Sequence, residues 1–217
     1  MPTDTALIIF VKFPAPGKVK TRLAAAVGAE LAAQLYREFI RRTFNLARQI
    51  AVAARFVTFT PAEKEQELRA LFPGDWHWFA QIDSPDLGVR IHRAVHHVQQ
   101  QGYSHVLTIG TDSPSLPPEY LKQAAKKLLT HDLVLGPATD GGYYLIGLKS
   151  APKELFTQID WSTEHVLQQT REHAERLRMS VYQLPVWYDI DDLAALQRFC
   201  DESHLSPALL KKVKSFL

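Results

Sequence analysis

A chain of 217 residues is long enough for one sizeable core and short for two domains. Its 46% hydrophobic and 22% charged composition is that of an ordinary globular protein. A formal charge of +2 gives no sign of wholesale nucleic-acid binding, yet leaves room for a small polyanion held by a few local cations. The lone Cys200 excludes an intramolecular disulfide framework and any multi-cysteine metal site.

The opening Met1-Pro2-Thr3-Asp4 lacks the basic region of a signal peptide. The run Ala6–Val11 is far shorter than the roughly 20 residues of a membrane span. A cytoplasmic protein with no membrane span is therefore expected. In chain order, short apolar runs predict strands at Leu7–Phe13, Arg55–Phe59, Trp76–Ala80, His105–Ile109, Asp132–Gly136, Tyr143–Leu148 and Val181–Trp187. Stretches of helical period separate them at Ala29–Ala54, Ala62–Leu71, Asp86–Gln101, Pro118–Thr130 and Ser162–Leu177. Such alternation predicts one domain over residues 1–217, three layers deep, with helices on both faces of a mostly parallel sheet. Residues 192–217 read as two short helices, broken near Ser206-Pro207 and packed on that domain.

Ligands of open α/β sheets bind beyond the carboxyl ends of the strands. The first strand runs there into Pro14-Ala15-Pro16-Gly17-Lys18-Val19-Lys20-Thr21-Arg22-Leu23. The prolines stop the strand, Gly17 permits a tight bend, and Thr21 is the expected N-cap of a helix through Leu23 and Ala24–Ala26. Lys18, Lys20 and Arg22 then crowd the positive end of that helix, where cations are disfavoured. A bound phosphate would relieve the conflict; a solvated loop with incidental lysines is the plainer alternative. The loop is no Walker A motif, and no G-x-G-x-x-G occurs.

The fourth strand ends in Gly110-Thr111-Asp112-Ser113-Pro114. A carboxylate at that edge facing phosphates suits Mg²⁺, which takes one or two protein carboxylates plus substrate oxygens. An Asp that only shapes the turn before the next helix is the competing reading. Asp140-Gly141-Gly142 lies between two apolar runs and reads equally as a hairpin turn. Ser162 is the expected cap of the following helix, with Trp161 packed beside it. His92 and His96 stand four apart on a helix without an H-E-x-x-H motif, and read as flanks of a buried stripe.

Lys12-Phe13-Pro14-Ala15-Pro16-Gly17-Lys18-Val19-Lys20-Thr21-Arg22-Leu23, Gly110–Pro114 and Asp140-Gly141-Gly142-Tyr143-Tyr144, in that order, resemble the hallmarks of one family. It comprises bacterial and archaeal transferases of glycosyltransferase-A-like (nucleotide-diphospho-sugar transferase) fold, some of them associated with radical-SAM proteins. Its relatives include the molybdenum-cofactor nucleotidyltransferases and phospholactate guanylyltransferase. The resemblance implies a nucleotide bound by Lys12, Gly17, Lys18, Lys20 and Arg22, and a divalent metal, Mg²⁺ or Mn²⁺, on Asp112. It implies a second, acceptor substrate near Asp140, Gly141, Gly142 and Tyr143, with Trp161 as a further candidate. Asp86-Leu87-Gly88-Val89-Arg90 matches the place where relatives contact base and ribose, which nominates Gly88 and Arg90; an Asp86–Arg90 pair along the helix is the structural alternative. Asp189-Ile190-Asp191 resembles a late D-x-D-T-P-x-D-L stretch whose second aspartate completes the metal site, here Asp191. Asp192, Leu193 and Ala195 depart from that pattern.

The expected activity is a metal-dependent transfer from a nucleotide donor to a small acceptor. Lys20 and Arg22 would carry catalysis by neutralising charge on the phosphates, and Asp112 by holding, with Asp191, the metal that does the same. In glycosyl transfer from an NDP-sugar, the slightly favoured version, Asp140 would assist the acceptor hydroxyl. In nucleotidyl transfer, an acceptor oxygen would attack the α-phosphorus of an NTP. A catalytically silent nucleotide-binding module is the third reading.

Overall fold

The computed structural model describes residues 4–202 and 205–216. Residues 1–3, 203–204 and 217 of the expected domain and tail lie outside the described residues. The strands are β1 (Thr5–Lys12), β2 (Ala54–Thr60), β3 (His77–Ala80), β4 (His105–Ile109), β5 (Leu133–Pro137), β6 (Tyr143–Leu148) and β7 (Val181–Gln183). The helices are α1 (Thr21–Val27), α2 (Ala29–Arg48), α3 (Glu65–Leu71), α4 (Leu87–Gln99), α5 (Pro118–Leu128), α6 (Val166–Arg176), α7 (Leu193–Glu202) and α8 (Pro207–Val213).

All seven expected strands form one sheet in the order β3-β2-β1-β4-β6-β5-β7. Strand β1 pairs parallel with β2 on one side and β4 on the other. The exception to the parallel rule is β6, antiparallel to both β4 and β5. Its reason is local: the β5–β6 connection, residues 138–142, is far shorter than the dozen or so residues a parallel crossover needs. The hairpin reading of Asp140-Gly141-Gly142 is thus the geometry adopted.

Successive residues of β1 feed two separate cores. Leu7, Ile9 and Val11 pack with Leu35 and Phe39 of α2, Leu121 of α5 and Phe199 of α7. Ala6 and Ile8 pack with Ile91, Val95 and Val98 of α4 and Ala174 of α6. A strand buried on both faces must be apolar throughout, which is why β1 reads as an unbroken hydrophobic run. The tail docks through Phe199, whose ring meets Phe39 edge-on with centroids 5.6 Å apart.

Several local expectations need correction. The second helix ends at Arg48, short of Ala54, because Ala54 already begins β2. Thr21 is not an N-cap but the first helical residue; Lys20 caps α1 in a left-handed conformation, φ 48° and ψ 48°. Ser162 also has positive φ (67°) and caps nothing, since α6 begins only at Val166.

Candidate functional site

The basic loop is shaped by its own sequence. Lys18 N–H donates to the carbonyl of Ala15 at 3.1 Å across Pro16-Gly17. Proline fixes negative φ, and Gly17 supplies the +70° that follows, the combination of a type II turn. Buried Val19 pins the loop to the core, while Lys18 and Arg22 stay exposed. Lys20 then turns inward. Its left-handed backbone costs a non-glycine residue roughly 1 kcal/mol or more, so tertiary contacts must hold it.

Those contacts are two carboxylates. The Lys20 ammonium lies 2.5 Å from Asp112 Oδ1 and 2.7 Å from Asp191 Oδ1, with its side chain 3% exposed. The Asp112 and Asp191 side chains remain 49% and 42% exposed. Burial works against the ammonium, but the two carboxylates outweigh it and raise the Lys20 pKa above the ordinary lysine value. The conflict the sequence poses at Lys20 is therefore relieved from within, by the protein's own carboxylates rather than by a phosphate. Of the three cations, only Lys18 and Arg22 stay exposed.

Two further groups brace this pair. Tyr36 of α2 exchanges a 2.8 Å hydrogen bond with the Thr111 hydroxyl and accepts from the Lys12 amide at 3.3 Å. It thereby ties the end of β1 to the end of β4. Burial pushes the Tyr36 phenol up to about 12, with the Asp112 charge adding to it, so the hydroxyl stays neutral. Ser113 donates to Asp189 Oδ1. Burial raises the Asp189 carboxyl to about 7, against the pull of that hydrogen bond and reinforced by Asp112 and Asp140.

Two adjoining cavities open here, at the carboxyl ends of β1 and β4, where the sheet order reverses direction. One, of about 330 Å³, is lined by Lys12, Lys18, Lys20, Arg22, Tyr36, Asp112 and Asp191 among others. The second, of about 270 Å³, shares Lys12, Tyr36 and Asp112 and adds Gln81, Arg90, Thr108 and Tyr143. Arg90 donates to Gln81 Oε1 at 3.2 Å, while its Nε is buried without a hydrogen-bond partner among the described residues. The Asp86 charge acts on Arg90 without a close ion pair between them: the Asp86 carboxylate caps α4, accepting from Gly88 and Val89 N–H at 2.7 and 3.2 Å.

Apart from Tyr143, the remaining nominated residues lie outside the two cavities. Gly17 shapes its turn. Gly88 sits beneath Trp161, whose ring would come within 2.7 Å of any Cβ placed there. Gly141, at φ +88°, lies against the Glu164 backbone, and its carbonyl accepts from the Leu167 amide at 2.9 Å. Gly142 donates to Asp140 Oδ1 at 2.9 Å. Tyr143 lines the smaller cavity, whereas Asp140 and Trp161 line neither. His92 and His96 lie on α4 with ring centroids 6.1 Å apart. Tyr36 and Gln81 went unnoticed in the sequence, and Asp189 was singled out only as part of the Asp189-Ile190-Asp191 stretch. Tyr36 carried no signal at all, being one aromatic on the apolar stripe of α2.

Among the described residues, no group of three or more His, Cys, Asp or Glu side chains is arranged to hold a metal ion. The pair Asp112–Asp191 nevertheless matches the donor set of Mg²⁺ or Mn²⁺, since such ions complete their shells with substrate oxygens and water. No helix of the described residues is long and apolar enough to cross a membrane.

The family DUF2064, described as "Uncharacterized protein conserved in bacteria", matches residues 43–163. No curated protein matches the chain. Among solved structures, a protein of Desulfovibrio desulfuricans named as a "putative nucleotide-diphospho-sugar transferase" is 35% identical, with TM-score 0.89 over 98% of this chain and 96% of that one. CMP:2-keto-3-deoxy-manno-octonic acid synthetase complexed with CTP shares the fold at 12% identity, with TM-score 0.59 over 90% and 96% of the two chains. Rv0371C of Mycobacterium tuberculosis, in complex with manganese, does so at 12% identity, with TM-score 0.58 over 92% and 100%. The fold is that of the nucleotide-diphospho-sugar transferases.

Proposed function

We propose that this chain, which belongs to the DUF2064 family, is a nucleotide-dependent transferase that takes its donor's phosphates into the Lys12–Arg22 loop. One observation carries the reading: the 330 Å³ cavity joins Lys12, Lys18 and Arg22 to the carboxylates of Asp112 and Asp191. Cations alone would suit any anion. Cations facing a pair of half-exposed carboxylates suit an anion that arrives with a divalent metal. The adjoining cavity would take the nucleoside, with the orphaned Arg90 Nε as a donor awaiting an acceptor.

Asp112 and Asp191 would hold Mg²⁺ or Mn²⁺; when bound, the ion supplies Lewis-acid neutralisation of charge on phosphate oxygens. The chain's own groups do the rest. Arg22 and Lys18 clamp phosphate oxygens from the exposed side of the loop. Tyr36 keeps the β1 and β4 ends in register, so that cations and carboxylates face one another. Lys20 stabilises negative charge as it builds on the departing phosphate. Preorganisation of this kind requires no nucleophilic side chain.

The donor we favour is an NDP-sugar, in line with the name of the 35% identical relative. An acceptor bound toward Asp140 and Tyr143 would attack the anomeric carbon, and a nucleoside diphosphate would leave. The second reading is nucleotidyl transfer, supported by the cation-rich loop and by the CTP-bound synthetase of the same fold. There the bond between α- and β-phosphates breaks and pyrophosphate leaves. Product analysis over a panel of donors and acceptors decides between them. Acceptor-dependent release of nucleoside diphosphate is expected; acceptor-dependent pyrophosphate from an NTP, with no diphosphate from any sugar donor, would overturn that choice.

A further inference from the structure

We infer that Lys20 is a built-in placeholder cation, whose ammonium leaves the Asp112–Asp191 pair when a divalent metal binds there and passes to the donor's phosphates. The inference rests on the metal-dependent reading proposed above and adds a coupling that this reading does not contain. The ammonium takes Oδ1 of both carboxylates, at 2.5 and 2.7 Å. Those are oxygens that a hard divalent ion requires. A dication and an ammonium repel one another strongly at such distances, so the two compete for the pair rather than share it.

The lysine is also placed to move. Its carboxylate partners face the cavity, with side chains 49% and 42% exposed. Lys20 lines the same cavity as Lys18 and Arg22, so phosphate oxygens drawn by those two side chains would lie within reach of the displaced ammonium. Without phosphate, Lys20 has nowhere favourable to go and blocks the metal. With phosphate, its release costs less, and metal and donor promote each other's binding by the same factor. The strained backbone at Lys20, φ 48°, fits a residue whose position is set by what its side chain holds.

The test compares wild type with Lys20→Met, using Mn²⁺ alone and inorganic pyrophosphate alone. Free Mn²⁺ is followed by electron paramagnetic resonance and pyrophosphate by calorimetry. The expected pattern is crossed: Mn²⁺ binds at least tenfold tighter to the variant, and pyrophosphate at least tenfold weaker. A lysine that merely braces the loop would weaken both. Mn²⁺ affinity equal to or below wild type in the folded variant overturns the inference. Lys20→Asn, whose side chain tolerates left-handed backbone, replaces Lys20→Met where that variant does not fold. Asp112→Asn separates the two levels of failure. Mn²⁺ binding that needs Asp112 but is not tightened by Lys20→Met sinks the placeholder role alone. Mn²⁺ binding indifferent to Asp112→Asn, or absent from every form at millimolar Mn²⁺, sinks the metal reading with it.

Discussion

The amide of Ile190 donates to the carbonyl of Asp112 at 2.9 Å. This one backbone bond sets the carboxylates of Asp112 and Asp191 beside each other, because the residue after Ile190 is then carried to the end of β4. It also makes the site depend on the segment leading into α7, which is anchored by the packing of Phe199.

Phe199→Ala is accordingly expected to act at two levels. Phe199 is fully buried, so truncation should cost about 3–5 kcal/mol in urea unfolding. In protein that remains folded, metal-dependent nucleotide binding should weaken as well, through the loosened Asp191 segment. Nucleotide affinity unchanged in such folded protein would show that the tail supports stability only.

The exposed cations of the loop should behave oppositely. Arg22→Ala and Lys18→Ala remove solvent-facing side chains, so unfolding free energy should stay within about 0.5 kcal/mol of wild type. Each should lose a charge-assisted contact worth about 1.5–3 kcal/mol, or roughly ten- to a hundredfold in donor affinity by calorimetry. Full donor affinity in the double variant would refute the phosphate role of this loop.

Asp112→Asn keeps the side-chain shape and removes the charge that a divalent cation needs. The portion of donor binding lost on adding EDTA to wild type should already be missing from this variant. Asp191→Asn should shift it in the same direction, by less. An Asp112→Asn protein that keeps the full EDTA response would return Asp112 to the role of a turn residue.

Tyr36→Phe deletes a hydroxyl that serves both the Thr111 side chain and the Lys12 amide. Leaving the buried Thr111 hydroxyl and the half-buried Lys12 amide without this partner should cost about 1–3 kcal/mol of stability. Donor binding should fall too, since the two strand ends lose their common tie. A stability loss with intact donor affinity would confine Tyr36 to packing.

Gly141→Ala separates turn geometry from ligand contact. A Cβ at Gly141 would lie 2.2 Å from the Glu164 carbonyl oxygen, on a backbone of φ +88°. Overpacking and left-handed strain together should cost about 2–4 kcal/mol. A variant of wild-type stability would mean that the hairpin and the start of α6 adjust freely, and that Gly141 is kept for some other reason.

The amino-acid sequence by itself determined the strands, most helices, and the placing of both the basic loop and Asp112 at the ligand edge. These are local matters. Apolar runs between turn residues, and Pro16-Gly17 with its forced φ signs, act within a few residues of chain. Only the tertiary structure decided what distant segments do to one another. It placed β6 between β4 and β5, drew Lys20 out of solvent onto two aspartates, and brought Tyr36 beneath the site. It gave Gly88 and Gly141 packing partners at Trp161 and Glu164. Lys20 shows the physical reason most clearly. On its own segment it is one of three equivalent cations near a helix start. Its burial follows from a carboxylate pair that exists only once the Asp191 segment has paired with the end of β4, and no local pattern encodes that meeting.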